Sequence, residues 1–497
     1  MIAKSDLRGS HHYNAGVGAT IERLMASIVK ISAMRDGEPA IERVQLLGGN
    51  VETGRQVTPV EQRWWRKDAA VRRRRPSYGF RGVTYTLSKG SGGCGQQASQ
   101  RRVILTRASG VLYDTRIQQH YLETDMIVDP AYFLYHSIGQ YPGKSADMAA
   151  ALERFSKTWG ALDDRQWSEV LRQRHAFLDL WRVLIDAPEG TLTSAENVTS
   201  ALFSILGGLP AQCLRGKRVL VAADCFPSLH FLLNGMAGRL GYTLETVPVR
   251  QGDFWVRDED MIAAWGEDVG LALLTFVTST SSHRCDLAGL IAHGQQMGSL
   301  VGVDLTQGIG IIPFSLDDYP ADFVVSTTLK WLCGTPGAGI IQMRADLIDA
   351  VRPELRGWFS QPNPFSWDLD AFEYAPDARR FEHGTPSVLA CIGSVPALRW
   401  HAGQDGLLAH NRALTGLVIA QAGQAGLTLA TPLAEHRRGG SVMLHLPGEC
   451  DPDTVIDGLR QRNVYVDARG RILRVSPGVV TTAAHVARLF EGLVTLL

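Results

Sequence analysis

Residues 301–339 read VGVDLTQGIGIIPFSLDDYPADFVVSTTLKWLCGTPGAG. Two short apolar runs in this stretch each lead to a side chain able to do chemistry. The first, LVGVDL, has the continuous β-branched character of a strand buried on both faces, and Asp304 falls at its carboxyl end, where open α/β sheets bind ligands. The second, ADFVVST, delivers Lys330 in the same way and is followed by the glycine-rich turn Gly334-Thr335-Pro336-Gly337. This order predicts an α/β fold with its functional edge at the ends of parallel strands. Taken singly, each residue has an ordinary structural reading: a strand-end Asp caps a turn, and a Lys before Trp-Leu lays its stem on apolar surface with its amine in water. The combination carries the signal.

An amine placed to form a Schiff base with an aldehyde, beside a carboxylate able to keep a pyridinium nitrogen protonated, is the pairing that pyridoxal 5'-phosphate (PLP) requires. Residues 304–307, DLTQ, and residues 326–339, STTLKWLCGTPGAG, resemble the D-x-x-Q/H and S/T-x-x-K-W/Y-L-x-G-x-x-G segments of the class V aminotransferase family of fold type I PLP enzymes. That family includes kynureninases, cysteine desulfurases, isopenicillin N epimerase-like proteins and aminotransferases. The resemblance implies a large domain with a mostly parallel central sheet flanked by helices, plus a small α+β C-terminal domain. It makes Lys330 the Schiff-base lysine, Asp304 the partner of the pyridine nitrogen and Gln307 a neighbour of the cofactor's ring hydroxyl.

At 497 residues and 45% apolar content the chain supports a large core and more than one domain. Its formal charge is zero, yet the residues before Met126 carry about ten excess positive charges and the remainder about ten excess negative ones. The seven cysteines stand singly, with no C-x-x-C pair and no spacing that suggests a metal site, which fits a reducing, cytoplasmic setting. No apolar stretch reaches bilayer length, and the start lacks the apolar core of a secretory signal.

Residues 1–125 are basic and poorly patterned, with SKGSGGCGQQ and a run of four arginines at Arg72 to Arg75. They read as a disordered extension, as sequence upstream of a start at Met126, or as an arm touching nucleic acid, although no stacking platform or helix-turn-helix pattern accompanies them. Residues 126–390 read as an N-terminal segment and large PLP-binding domain, and residues 391–497 as the small domain. A long helical pattern follows DPAYFLYHSIGQYP, in which His136-Ser137-Ile138-Gly139 stands where the family has N-S-L-G. The segment TSAENVTSALFSILGGL reads as a helix opening with cap candidates, and a helix N-terminus suits a phosphate.

Further residues take roles by resemblance. The backbone of Asn197 and Val198 and the hydroxyl of Thr199 correspond to the family's phosphate site, with helix capping by Thr199 the plainer alternative. Phe226, in Asp224-Cys225-Phe226-Pro227-Ser228, matches the kynureninase N-F-P-T segment whose ring stacks on the cofactor. Thr278 or Ser279, and His283, are candidates for the substrate side, with an exposed, inert loop residue the commoner reading of a His in a Ser-rich loop. Trp358 and Thr385 match the G-W-F/W-G and G-T-x-P segments that reach the phosphate of a neighbouring subunit, which implies a homodimer with shared sites. In VDARGRILRVSP, Arg474 takes the place of the arginine that holds the carboxylate of a small amino-acid substrate; a surface ion pair is the rival reading for Arg469.

The reaction this implies is a kynureninase-like hydrolase or lyase step at the β,γ carbon–carbon bond of an amino acid. Two departures count against it: Leu329 replaces the kynureninase Tyr before the lysine, and Gln307 replaces the usual His. The alternative is a class V aminotransferase, or a carbon–sulfur lyase or epimerase-like enzyme of secondary metabolism. No S-G-S-A-C loop of a cysteine desulfurase is present, and Cys333 stands too near Lys330 to serve as its mobile nucleophile. A non-catalytic PLP-fold regulator is the remaining possibility; it leaves the joint retention of Lys330, Asp304 and Arg474 without a use.

Overall fold

Seven strands form the central sheet: β1 (Leu192–Ala195), β2 (Arg218–Ala222), β3 (Thr243–Val247), β4 (Val269–Thr275), β5 (Leu300–Asp304), β6 (Phe323–Thr327) and β7 (Gly339–Met343), in the order β3-β2-β4-β5-β6-β7-β1. The pairs from β3 through β6 are parallel, and β7 runs antiparallel to both β6 and β1. The computed structural model describes residues 129–497 and, before them, the backbone of short strands between Met34 and Asp114; the remainder of the expected basic extension lies outside the described residues. Contacts divide the chain into units Met1–Val128 and Asp129–Leu497. In the first, Val83–Leu87, Arg101–Ala108 and Val111–Asp114 form an antiparallel three-stranded sheet.

The sheet strands are apolar without interruption because both faces are covered. Alternate residues point to opposite sides of a strand. Accordingly Leu271 and Leu273 of β4 join Val219, Val221, Phe323, Val325 and Ile341 in one core, whereas Ala272 and Leu274 join Leu220, Val303, Val324 and Ile340 in the other. Nine helices are needed below: α1 (Lys144–Trp159), α2 (Gln166–Leu184), α3 (Val198–Gly208), α4 (Pro227–Leu240), α5 (Leu287–Gln296), α6 (Val388–Ala402), α7 (Leu407–Gln424), α8 (Pro452–Gln461) and α9 (Ala483–Leu496). Leu202, Ile205 and Leu206 of α3 and Leu229 and Leu233 of α4 cover the first face; Leu287, Leu290 and Ile291 of α5 pack into the second core.

A second, antiparallel sheet, β8 (Thr428–Leu429), β9 (Val442–His445), β10 (Asp467–Arg469) and β11 (Ile472–Val475), runs in the order β8-β9-β11-β10. Its core joins Val442, Leu444, Leu473 and Val475 to Leu414 and Val418 of α7, Leu459 of α8 and Leu489 of α9. Ala131 and Phe133, from the start of this unit, are buried in the same core, and Ala131–Tyr132 pairs in parallel with Val464–Tyr465.

Two local expectations are corrected. The helix expected to open at residue 193 begins only at Val198, because Thr193 to Ala195 pair with β7 as strand β1; the tertiary ladder wins over the local pattern. The single long helical pattern is two helices, α1 ending at Trp159 with Gly160 as its C-cap and α2 starting after Asp163, whose carboxylate accepts a hydrogen bond from the Arg165 amide at 3.1 Å.

Gly302 lies beneath the Phe323 ring, where a Cβ would come within 2.1 Å of Cζ. Gly302→Ala is therefore expected to lower unfolding free energy by about 1–3 kcal/mol in a urea titration, with part of the loss recovered by adding Phe323→Leu.

Candidate active site

The side chains singled out from the sequence converge on one edge of the central sheet, and strand register accounts for it. Asp304 ends β5 opposite Thr275 of β4 and Val325 of β6. Two residues further along β6, Thr327 pairs with Gly339 of β7, which pairs with Ala195 of β1. The carboxyl ends of β1, β2, β5 and β6 thus lead directly to Asn197, Phe226, Asp304 and Lys330. Gly339 keeps this row tight, since a Cβ there would stand 2.7 Å from the Ser326 carbonyl oxygen.

Asp304 is buried, and its Oδ1 accepts hydrogen bonds from the Thr306 amide at 2.9 Å and the Thr306 hydroxyl at 2.5 Å. Oδ2 has no hydrogen-bond donor among the described residues. Burial raises the Asp304 pKa, and the Thr306 bonds and the charge of Lys330 oppose that rise. Lys330 Nζ lies 5.2 Å from the centre of the Phe226 ring, and the ring is 44% exposed although it stands at the head of α4. The amine has no hydrogen-bond acceptor among the described residues. Burial pulls its pKa down to about 8, with Asp304 pulling it up and Arg474 pushing it down.

Asn197 caps α3 through a reciprocal pair with Ser200: the Ser200 amide donates to Asn197 Oδ1 at 2.9 Å, and the Asn197 amide donates to Ser200 Oγ at 3.3 Å. Thr199 sits in the first turn and is not the cap. The amides of Val198 and Thr199 are among the first-turn donors that a helix cannot satisfy internally. A carboxylate with one free oxygen, an amine facing an open aromatic ring and a helix start with free amides together match the nitrogen, aldehyde and phosphate of PLP.

A second cluster faces this group from the C-terminal sheet. Arg474 of β11 is buried, and Asp467 of β10 accepts from its Nε at 2.8 Å and its Nη2 at 2.5 Å. Nη1 approaches the Ser279 carbonyl oxygen at 3.4 Å. A guanidinium held on its Nε–Nη2 side still has its Nη1–Nη2 edge for a second carboxylate. His136 completes the cluster: Nδ1 is 2.7 Å from Ser476 Oγ, and Nε2 lies 2.8 Å from Asp467 Oδ1, too bent to make a hydrogen bond. The His136 carbonyl accepts from Gln307 Nε2 at 3.0 Å. Burial lowers the His136 pKa to about 4, against the pull of Asp467, so the ring is neutral at physiological pH. Burial alone pushes Asp467 up, but His136 and Arg474 outweigh it and hold the carboxyl well below the usual range.

Among the described residues, no hydrogen bond or ring contact joins the other sequence candidates to Lys330. Trp358 begins a short turn and meets Trp167, Phe359 and Phe365 edge-on. Thr385 is exposed. Among the described residues, no hydrogen bond or ring contact joins either one to Lys330, Asp304 or Phe226. Thr278 and Ser279 are buried, and Thr278 Oγ1 accepts from the His283 amide at 3.0 Å. His283 is buried too, stacked on Trp255 and 3.1 Å from Arg437 Nη2, and burial lowers its pKa to about 3. Arg469 is an exposed ion-pair partner of Asp467 at 3.4 Å. Sequence reasoning missed Thr306, Asp467 and Ser476. An Asp two residues before a Thr is a recognisable local turn and could have flagged Thr306; Asp467 and Ser476 stand at motif positions of the VDARGRILRVSP segment, but nothing local marks their meeting with His136, more than three hundred residues away.

The lowered Lys330 pKa has a direct readout. In the cofactor-free protein, labelling of Lys330 by trinitrobenzenesulfonate, followed by peptide mass spectrometry, is expected to rise with a midpoint near pH 8 and not near the ordinary lysine value of about 10.4. Asp304→Asn removes the charge that favours the ammonium, so the midpoint moves lower.

Comparison with known proteins agrees with this geometry. The family model described as Aminotransferase class-V matches residues 182–485. A kynureninase from Deinococcus radiodurans is 30% identical over 344 residues, covering 65% of this chain and 80% of its own. An uncharacterized aminotransferase, YcbU, from Bacillus subtilis is 24% identical over 319 residues, covering 64% of this chain and 82% of its own. Among solved structures, the cystine C–S lyase C-DES, in complex with cysteine persulfide, superposes with a TM-score of 0.68 at 17% identity over 74% of this chain and 98% of that one. A cysteine desulfurase from Thermococcus onnurineus reaches 0.66 at 17% identity, over 74% and 94%. The family match takes in every strand of the central sheet together with Asp304, Lys330 and Arg474, and this chain belongs to the class V aminotransferase family of PLP-dependent fold type I enzymes.

Proposed function

We propose that this chain acts on a small amino acid in a kynureninase-like reaction, cleaving a β,γ carbon–carbon bond with water. The observation that carries this reading is Phe226, an open aromatic face at the head of α4 with Lys330 Nζ 5.2 Å from its centre. It stands in a D-C-F-P-S segment similar to that of kynureninases, several of which align with this chain at about 30% identity. Asp304 Oδ2 is the acceptor for a protonated ring nitrogen, the start of α3 at Asn197, Val198 and Thr199 takes the phosphate, Gln307 borders the ring hydroxyl, and Lys330 holds the aldehyde carbon. When bound, PLP supplies an electron sink for bonds to the substrate α-carbon. Arg474 presents its Nη1–Nη2 edge to the substrate carboxylate. Lys330, with its amine pKa near 8, takes a proton from the α-carbon and returns one.

Trp358 and Thr385 serve the site of a second subunit in this reading. Thr385 is exposed and Trp358 only half-buried, which suits contacts completed in a homodimer. A division of N-terminal segment and large domain (126–390) from small domain (391–497) would cut α6, whose Cys391, Val395 and Leu398 lie in the central-sheet core, so in this reading the small domain begins after Ala402 and is joined by Ala131 and Phe133. The cysteines among the described residues are all free, in keeping with a cytoplasmic setting; among the same residues no helix is long and apolar enough to cross a membrane.

One observation favours the second reading, a class V aminotransferase or a carbon–sulfur lyase or epimerase-like enzyme. Leu329 precedes the lysine and has no group to donate or accept a proton, and its carbonyl is engaged by the Gly139 amide at 3.0 Å. Product analysis decides between them. With L-kynurenine the proposed reaction releases anthranilate and alanine, and Lys330→Ala abolishes it; a keto acid without carbon–carbon cleavage, or no change in visible absorption with kynurenine, favours the second reading. Mixed dimers test the shared site. Lys330→Ala and Trp358→Ala subunits, each poorly active alone, are expected to recover about a quarter of wild-type activity when co-assembled statistically, because half the dimers then contain one intact site. No recovery would place Trp358 in its own subunit's site.

A further inference from the structure

We propose that His136 is a positioning residue for substrate binding, which orients Arg474 through Asp467 and secures Gln307 through its own carbonyl. The proposal rests on the reading of Arg474 as the carboxylate anchor. It starts from the way the ring is fixed. Asp467 can only accept, so the single proton of the neutral imidazole is favoured on Nε2, 2.8 Å from Asp467 Oδ1. Nδ1 is then an acceptor for the Ser476 hydroxyl at 2.7 Å, and Ser476 Oγ accepts from Ser441 Oγ at 2.6 Å. Both ring nitrogens face the C-terminal sheet, Nδ1 through a hydrogen bond to Ser476 and Nε2 through a close polar contact with the Asp467 carboxylate, and a flip of the ring would lose both.

The backbone around His136 is pinned to both halves of the site. The Ser476 amide donates to the Phe133 carbonyl at 3.0 Å, which ties the segment to the strand that carries Arg474. Three residues past His136, the Gly139 amide donates to the Leu329 carbonyl at 3.0 Å, and a Cβ on Gly139 would stand 1.8 Å from the Lys330 carbonyl oxygen. The segment therefore passes between the lysine loop and the small sheet, with no space for a side chain at Gly139. The charged groups facing His136 are Asp467, in contact, and Arg474 and Lys330 further off.

The consequence concerns the free edge of Arg474. Asp467 holds the guanidinium by Nε and Nη2, and that carboxylate is placed by His136 on one side and touched by Arg469 at 3.4 Å on the other. Without the imidazole, Asp467 loses one of the walls that fix it, and the Arg474 edge loses its aim at the substrate carboxylate. The amine end of the substrate, handled by Lys330, is unaffected.

The test compares L-alanine with L-alaninamide, which has the same amine and no carboxylate, by titrating the visible absorption of the holoenzyme. The ratio of their apparent dissociation constants isolates the carboxylate contact. His136→Ala is expected to shrink the preference for L-alanine by about tenfold while leaving the L-alaninamide constant within about twofold. His136→Gln, which keeps a donor near the Nε2 position, is expected to restore most of the preference and serves in its place if the alanine variant does not fold. Arg474→Ala is the control for the underlying reading: if it leaves the preference intact, Arg474 is not the anchor and that reading fails. If Arg474→Ala abolishes the preference and His136→Ala leaves it unchanged, or weakens both ligands alike, the positioning role of His136 is overturned and the anchor stands.

Discussion

Everything in the site depends on two strands lying side by side in parallel. Because Asp304 of β5 pairs with Val325 of β6, the acid and the loop that carries Lys330 emerge at the same edge, and burial then sets their chemistry. The sheet can hold this register because both faces are apolar. A slip by one residue would move every side chain of a strand to the opposite core and would displace Gly302 from beneath Phe323. The stability of the sheet and the geometry of the site are the same constraint seen from its middle and from its edge.

Burial acts differently on the two charged clusters. At the sheet edge it brings Lys330 and Asp304 toward each other in acidity: the amine becomes easier to deprotonate and the carboxyl harder to ionise. On the C-terminal sheet the interactions of Asp467 with His136 and Arg474 overcome burial and keep it a carboxylate, whereas at His136 burial prevails over the pull of Asp467 and keeps the ring neutral. The first cluster is suited to moving protons, and the second to holding an anion in place. That division matches the needs of the proposed reaction, in which an amino acid would be held by its carboxylate while reacting at the neighbouring carbon.

Much of the first cluster was legible in the sequence because it is built from short segments with local signals. Apolar β-branched runs ending on Asp304 and before Lys330 marked the strand ends, and the resemblance of the segment around Phe226 to N-F-P-T marked that ring. The second cluster was half legible. Arg474 stood out in its segment, but Asp467, Ser476 and His136 meet only through tertiary folding, and no local pattern ties residue 136 to residue 476. The start of α3 shows the opposite error: residues 193–195 carry helix-opening types yet form an edge strand, because pairing with β7 satisfies their backbone groups. His283 is a similar case, since a Ser-rich loop reads as exposed until its packing on Trp255 is known.

The claim on which the whole account turns is that Lys330 is the residue joined to the cofactor. Reduction of the purified holoenzyme with sodium borohydride, followed by proteolysis and mass spectrometry, tests it without any assumption about substrate. The account predicts a phosphopyridoxyl group on Lys330 and on no other lysine; a label on Lys144 or another lysine, or none in protein that has been loaded with PLP, would contradict it.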